Sequence, residues 1–338
     1  MKQVYIFLSI LFLAVFTQNT VSAQQQSFKR NRYYSIGACL NAMNYVGDLD
    51  PGPTILSPSI KFTRYNFGIT TLYRYSPRVS FRGTFSYGRI KGSDAESSNY
   101  DIKNVNRLYR NLSFRNQIYE LKADIVIDLF ENRGKYTKRP DYTPYIFAGL
   151  AYFHHNPQAQ DPNGNWVDLR PLHTEGQGLP GGPKQYSLNQ IALPIGAGFR
   201  YKLTKQLDLA FEIGWRFTLT DYLDDVGGKY ADKQQLTDNY GDLSRVMSDR
   251  SYEAYSTNPE VQASADNHYG SVGGDASVEG YDPGHNIGST DPWLAINSYG
   301  TAGVQRGDTK GRRDVYIITG FHLTYILPEK VVCPKFRN

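Results

Sequence analysis

Leu207-Asp-Leu-Ala-Phe-Glu-Ile-Gly-Trp-Arg-Phe-Thr-Leu219 alternates without a break. The odd positions Leu207, Leu209, Phe211, Ile213, Trp215, Phe217 and Leu219 are apolar. The even positions Asp208, Ala210, Glu212, Gly214, Arg216 and Thr218 are polar or small. Strict period two places one face of a strand against apolar surroundings and the other against polar ones. Soluble strands usually run about 5–6 residues, whereas a tilted strand crossing a bilayer needs about 9–11. The length of this run therefore raises the question of a membrane barrel.

Working outward, seven further segments carry the same signal: residues 33–45, 66–75, 78–89, 118–129, 144–153, 190–202 and 314–327. In the fourth segment Leu121, Ala123, Ile125, Ile127 and Leu129 oppose Glu120, Lys122, Asp124 and Asp128. In the fifth, Tyr145, Phe147, Gly149, Ala151 and Phe153 share one side. Short connections join the second and third segments (Ser76-Pro77) and the sixth and seventh (203–206), with a moderate linker at 130–143. The other connections, 46–65, 90–117, 154–189 and 220–313, are long. Short turns on one side and long loops on the other are how outer-membrane barrels are arranged. The expected fold is all-β: an eight-stranded antiparallel transmembrane β-barrel with long extracellular loops and periplasmic termini.

Periodicity alone does not say which face is which. A lipocalin-like barrel also alternates, with its apolar residues inward. Strand length and loop asymmetry favour the membrane version, in which charges point into the lumen. Arg82, Glu120, Lys122, Asp124, Asp128, Arg200, Asp208, Glu212 and Arg216 would then form an internal ion-pair network. Eight strands leave room for side chains and none for an aqueous pore, so a plugged interior is expected. The loop 220–313 reads either as an extracellular cap or as a solvated loop. Its Tyr, Asp, Gly and Ser content offers little for a core, with one helical patch near 232–255.

Composition agrees with an exported barrel. Tyr (27) and Gly (31) are abundant, and mean hydropathy is low. Residues 1–23 read as a signal peptide: Lys2, an apolar run from Val4 to Phe16, then Val21-Ser22-Ala23 as the cleavage site. Residues 24–338 read as a single domain with a periplasmic tail at 328–338. The net charge of +5 is spread out, and no basic block points to nucleic acid.

Several local signals carry a bland reading. Asp161-Pro-Asn-Gly-Asn165 mimics a calcium loop, but Trp166 stands where such a loop needs Gly, so an Asn-Gly turn is expected. His154 and His155 are adjacent on a strand and point to opposite faces, a poor chelating pair. Tyr45 is a candidate for the aromatic girdle, and Gly47-Asp48 for a turn. His322 lies on the polar side of the last segment, and no nucleophile elbow precedes it. No catalytic, cofactor or metal site is expected, and an enzyme acting on lipid is the rival class.

The stretch Ile36-Gly37-Ala38 through Asn44-Tyr45-Val46-Gly47-Asp48 is distinctive. So are Tyr73-Arg74-Tyr75-Ser76-Pro77-Arg78, Phe85 to Gly92, Arg110 to Asn116, Thr143-Pro144-Tyr145 and the closing Cys333-Pro334-Lys335-Phe336. In this order they resemble the PorG-like outer-membrane barrel family of the Bacteroidota. The resemblance implies a non-enzymatic outer-membrane barrel of the type IX secretion machine, tying a periplasmic ring of PorK and PorN to outer-membrane lipid. The loops 154–189 and 220–313 are longer than that family leads one to expect. A surface binding or adhesion barrel that uses these loops is the alternative.

Two cysteines bear on the partner. Cys39 sits ~20 Å up the first strand at 3.3 Å per residue, whereas Cys333 lies in the tail, a poor geometry for a mutual bridge. Cys333 is thus a candidate for an intermolecular disulfide with a ring subunit. Arg133, Lys135, Lys138 and Arg139 cluster in the 130–143 turn and are candidates for the partner contact. A solvated basic turn near anionic lipid is the equal alternative.

Overall fold

The computed structural model describes residues 31–49, 60–97, 109–259, 300–307 and 313–328. The expected signal peptide ending at Ala23 and the tail cysteine Cys333 lie outside them. Nine strands form one sheet: β1 (Tyr33–Val46), β2 (Arg64–Arg74), β3 (Val79–Ser93), β4 (Ser113–Asp128), β5 (Tyr142–Gln160), β6 (Trp166–Asp168), β7 (Asn189–Lys202), β8 (Leu207–Thr218) and β9 (Val315–Ile326). Eight of them run antiparallel in the order β4-β3-β2-β1-β9-β8-β7-β5, and the β4–β5 pairing closes the ring. The short β6 folds back on the end of β5 alone, pairing Gln158 with Asp168 and Gln160 with Trp166. All eight expected crossing strands are present, and each pairs with a neighbour on both sides.

Burial settles the faces. Leu121 is 61% exposed, whereas Lys122 beside it is 2% exposed. Leu40, Ile69, Leu150 and Phe321 are likewise exposed, while Arg82, Asp124, Asp208 and Glu212 are buried. This is the inverse of a lipocalin, and a closed barrel with an apolar exterior is at home only in lipid. Aromatic rings edge the apolar belt at both ends. Tyr34, Tyr73, Tyr142 and Phe199 lie at the short-turn end, and Tyr65, Phe67, Tyr87 and Tyr119 at the other. On β5 the exposed Tyr142 and Tyr152 are separated by roughly 33 Å of strand, about 25 Å along the axis at a tilt near 40°. That matches the apolar band of an outer-membrane barrel. The chain is therefore an outer-membrane β-barrel protein. Among the described residues no helix is long and apolar enough to cross a membrane.

Three differences from the sequence reading stand out. First, β3, β4 and β5 are longer than expected at 15, 16 and 19 residues, and their extra length carries an antiparallel wall beyond the membrane on the long-loop side. Second, Tyr145, Phe147 and Phe153 face the lumen, while Ile146, Leu150 and Tyr152 face lipid. β5 is apolar on both faces, so alternation could not orient it. The inward rings need space on neighbouring strands: a Cβ at Gly198 would collide with Tyr145 and one at Gly196 with Phe147. Third, the loop 220–313 does contribute to a core. Helices α2 (Lys233–Tyr240), α3 (Asp242–Ser248) and α4 (Ser251–Thr257) follow α1 (Asp94–Ser97). Asp232 caps α2 by accepting from the Gln235 N–H at 2.9 Å.

The cap packs into the outer mouth. Leu223, Val226 and Met247 from the last loop meet Leu49, Leu112, Phe114 and Ile118, together with Met43, Phe153, Tyr316 and Ile318 of the barrel wall. Each fully buried side chain of this kind contributes about 1.5–3 kcal/mol. The loop after β5 joins the same body: His173 stacks on Tyr240 at 4.1 Å, and the Ser248 hydroxyl donates to the Thr174 carbonyl at 2.5 Å.

Candidate functional site

Three places carry polar chemistry: the lumen, the underside of the cap and the short-turn rim. In the lumen the inward positions of β2, β3, β4, β7, β8 and β9 face one another across a narrow barrel. Arg82 donates through Nε and Nη2 to Asp124 Oδ2 at 3.1 and 2.8 Å and through Nη1 to Glu212. Lys122 Nζ sits 2.8 Å from the same Asp124 oxygen. Glu212 also accepts from the Tyr145 hydroxyl at 2.5 Å and lies 3.4 Å from His322 Nδ1. Nearer the outer mouth, Glu120 accepts from Tyr316 at 2.6 Å and pairs with Arg216 at 3.4 Å. Nearer the periplasm, Asp128 pairs with Arg74 and with Arg200 at 3.3 Å. Asp208 takes both Nε and Nη2 of Arg139, at 3.0 and 2.6 Å.

All nine residues expected in the lumen are therefore in it, each within an ion pair. Arg74 and Arg139 join them, which the sequence reading did not foresee. Arg74 is the last residue of β2, where Thr71 on the outward parity and Leu72 on the inward one blur the alternation. Arg139 corrects the sequence reading. It is buried and reaches into the barrel, and it also donates to the carbonyls of Tyr136, Thr204 and Lys205. It closes the lumen floor and ties the 130–143 turn to the 203–206 turn, so it offers nothing to a partner. Phe147 fills the mid-lumen under Arg82 and Lys122, 4.7 and 5.0 Å from its ring centre. With charge paired with charge and aromatic rings between, this interior is a structural plug.

The cap underside has a different character. Tyr45 is fully buried and points inward, so it does not belong to the aromatic girdle. Its hydroxyl lies 2.6 Å from Asp224 Oδ2 and 2.9 Å from Asp314 Oδ1. One hydroxyl proton satisfies one carboxylate only, so the second contact needs a proton on a carboxyl group. Asp314 also accepts from the Leu223 N–H at 2.8 Å, and Asp224 from the Val226 N–H at 3.0 Å. Burial, then the charge of Asp48, pushes the Asp224 carboxyl well above the usual carboxylate range. Burial and the charges of Asp224 and Asp48 do the same to Asp314. Beside this group, Arg110 clamps Asp94 through two nitrogens at 2.7 Å each and donates to the Asp48 and Arg306 carbonyls at 2.9 Å. Arg306 sits 3.3 Å from Glu175, and Asp225 accepts from Tyr186 at 2.6 Å and from Thr174 at 2.5 Å. Burial raises Asp225 to about 6 against the pull of Arg306.

At the short-turn rim, Arg133, Lys135 and Lys138 are exposed. Arg133 bonds Glu131 at 2.8 Å and its carbonyl accepts from Asn31 at 2.8 Å. Ser76 caps the β2–β3 turn as expected, accepting from the Val79 N–H at 3.0 Å. Cys39 is a free thiol buried in the lumen. Asp161 organises the expected Asn-Gly turn, accepting from the N–H groups of Asn163 and Asn165 at 2.9 and 2.8 Å. β5 runs on past His154 and His155, so these do not mark the end of the strand. His155 is buried against Asn116 at 3.1 Å, with His154 on the outer face. Among the described residues no cluster of His, Cys, Asp or Glu has the geometry to hold a metal ion.

Residues 7–170 match the family described as a domain of unknown function (DUF6089). No curated protein matches the chain. Among solved structures it is similar to Neisserial surface protein A at 10% identity, covering 86% of this chain and 96% of that one with a TM-score of 0.35. It is also similar to the outer membrane protein OprG from Pseudomonas aeruginosa at 7% identity, covering 88% and 97% with a TM-score of 0.35.

Proposed function

We propose that this barrel is a non-enzymatic anchor that holds a periplasmic assembly at the outer membrane. On the PorG-like resemblance of its strands and turns, that assembly is the PorK and PorN ring of the type IX secretion machine. The chain would reach its place by export, with the signal peptide removed after Ala23. The observation that carries the reading is the sealed lumen: paired charges and Phe147 occupy the bore, leaving a scaffold rather than a conduit. Its work then falls to the rims. The periplasmic rim presents Arg133, Lys135 and Lys138 on one turn whose base Arg139 fixes from inside. Cys333, in the tail beyond the described residues, would add a covalent tie to a ring subunit.

A second reading is favoured by the packed cap. A loop body with its own apolar contacts to the barrel is a surface that a soluble or glycan partner outside the cell can grip. Affinity capture from cells separates the two. Recovery of PorK or PorN by the wild type, lost when Arg133, Lys135 and Lys138 are replaced by Glu, supports the anchor. A thiol-sensitive adduct absent from Cys333→Ser supports the covalent tie. Capture indifferent to the turn and abolished by deleting the 220–313 loop supports the surface reading and overturns the first.

A further inference from the structure

Above the outer aromatic girdle, the exterior of β3 and β4 carries two arginines that pair with no acid among the described residues. Tyr87 pairs with Tyr119 across the two strands, and their rings lie 4.8 Å apart. One outward position higher is Arg89, opposite Gln117, and one higher again is Arg115, opposite Lys91. At about 3.3 Å per residue and a tilt near 40°, these positions stand roughly 5 and 10 Å beyond the girdle. That is the headgroup layer of the outer leaflet.

Both guanidinium groups are held by aromatic rings. Arg115 lies 3.5 Å over the ring of Trp166, the exposed first residue of β6, and its Nε donates to Gln158 at 3.0 Å. Arg89 lies 6.0 Å over Tyr65, and its Nε is buried without a hydrogen-bond partner. Among the described residues neither forms an ion pair, and no hydrogen bond engages the Nη atoms of Arg115. The acids nearby are occupied: Glu96 takes Lys91 at 2.5 Å, and Asp168 accepts from Asn156 and Gln158 at 2.9 and 2.6 Å. The two cations sit close enough to feel one another's charge. Uncompensated among the described residues and held against aromatic rings, this like-charge pair suits a doubly charged oxygen ligand, because the guanidinium fork matches phosphate geometry.

We propose that Arg89 and Arg115, framed by Tyr65 and Trp166, bind the phosphate of a phosphorylated lipid headgroup in the outer leaflet. The site rests on the barrel spanning the membrane with its long loops outward. The ligand is lipid because the pair stands at headgroup depth on the lipid-facing wall, continuous with the girdle. Bound lipid would tie the tall β3–β4–β5 wall to the membrane surface.

The test uses the full-length barrel refolded in micelles and exposed to bisphosphorylated lipid A, or to the same lipid stripped of both phosphates. Retained lipid is counted by native mass spectrometry. A heat-modifiable gel shift reports the folded barrel, and failure to fold in detergent would count against the membrane reading instead. The expected result is that wild type keeps phosphorylated lipid A at least fivefold better than the stripped form. Arg89→Gln/Arg115→Gln abolishes that preference, while Arg78→Gln, at the exposed short-turn end, leaves it intact. Each single variant should lose part of the preference, which covers the case where the double variant does not fold. Equal retention of both lipids by wild type overturns the proposal. So does an undiminished preference in the folded double variant or in both single variants.

Discussion

The lumen and the Tyr45 cluster under the cap both bury several carboxyl groups, and they handle them in opposite ways. In the lumen each of Asp124, Asp128, Asp208, Glu120 and Glu212 meets an arginine or lysine. Under the cap, Asp224 and Asp314 meet one shared tyrosine hydroxyl, with no ion pair among the described residues. Charge matched to charge needs no titration to stay buried, whereas carboxyls that share a hydroxyl stay buried only by keeping protons. The barrel wall is thus built to be permanent, and its lid is built to depend on solution conditions.

The most damaging change should be to the matched half. Arg82→Met leaves Asp124 and Glu212 buried without their shared cation, and such a loss costs about 3–5 kcal/mol. The urea midpoint for folding into micelles should fall accordingly. Adding Asp124→Asn and Glu212→Gln to the variant should recover a large part of the loss. If Arg82→Met alone leaves the midpoint unchanged, the network is not holding the barrel together.

The cap should respond to pH where the barrel does not. Asp224, Asp314 and Asp225 all have raised folded values, so their contribution is fully present below the unfolded carboxylate range and is lost as pH rises through the folded values. For Asp225 that window runs from about 4 to about 6, and its size is on the order of 3 kcal/mol. The groups facing Asp224 and Asp314 are Asp48, Asp221 and Tyr45, with Arg110 the cation that opposes them. Protease cleavage within the 220–258 segment, normalised to a model peptide at each pH, should therefore speed up between pH 5 and pH 8. Asp314→Asn should flatten the profile. A flat wild-type profile would show that the cap charges are compensated by something outside this cluster.

Much of the matched half was legible in the chain, because strict alternation at β4, β7 and β8 puts every ion-pairing residue on one parity. β5 was not legible in the same way. Its two faces are both apolar, and only the glycines at 196 and 198 on the neighbouring strand reveal which rings turn inward. Arg139 was misread because a basic turn beside a membrane looks solvated until tertiary contacts draw one member inside. The cap escaped for a related reason. Its apolar residues Leu223, Val226 and Met247 are sparse, and they make a core only by borrowing buried side chains at the barrel's outer mouth. Tyr45 had a ready explanation as a girdle residue, yet its inward parity with Met43 and Asn41 was already in the sequence.

Tyr45→Phe gives the smallest effect of the three and the sharpest comparison. It removes one oxygen and no charge, so the lumen pairs below are untouched. What it removes is the hydroxyl joining β1 to Asp224 of the cap and to Asp314 at the entry to β9. Leaving a buried acceptor unsatisfied costs about 1–3 kcal/mol. That cost should appear in the cap alone: faster cleavage of the 220–258 segment at pH 5, with the urea midpoint of the barrel unmoved. A protonated carboxyl can instead donate directly to its neighbour, so the penalty should be smaller at pH 5 than at pH 8, where that proton is scarcer. If Tyr45→Phe lowers the barrel midpoint as much as Arg82→Met does, cap and wall are one cooperative unit and the division between a permanent wall and a conditional lid fails.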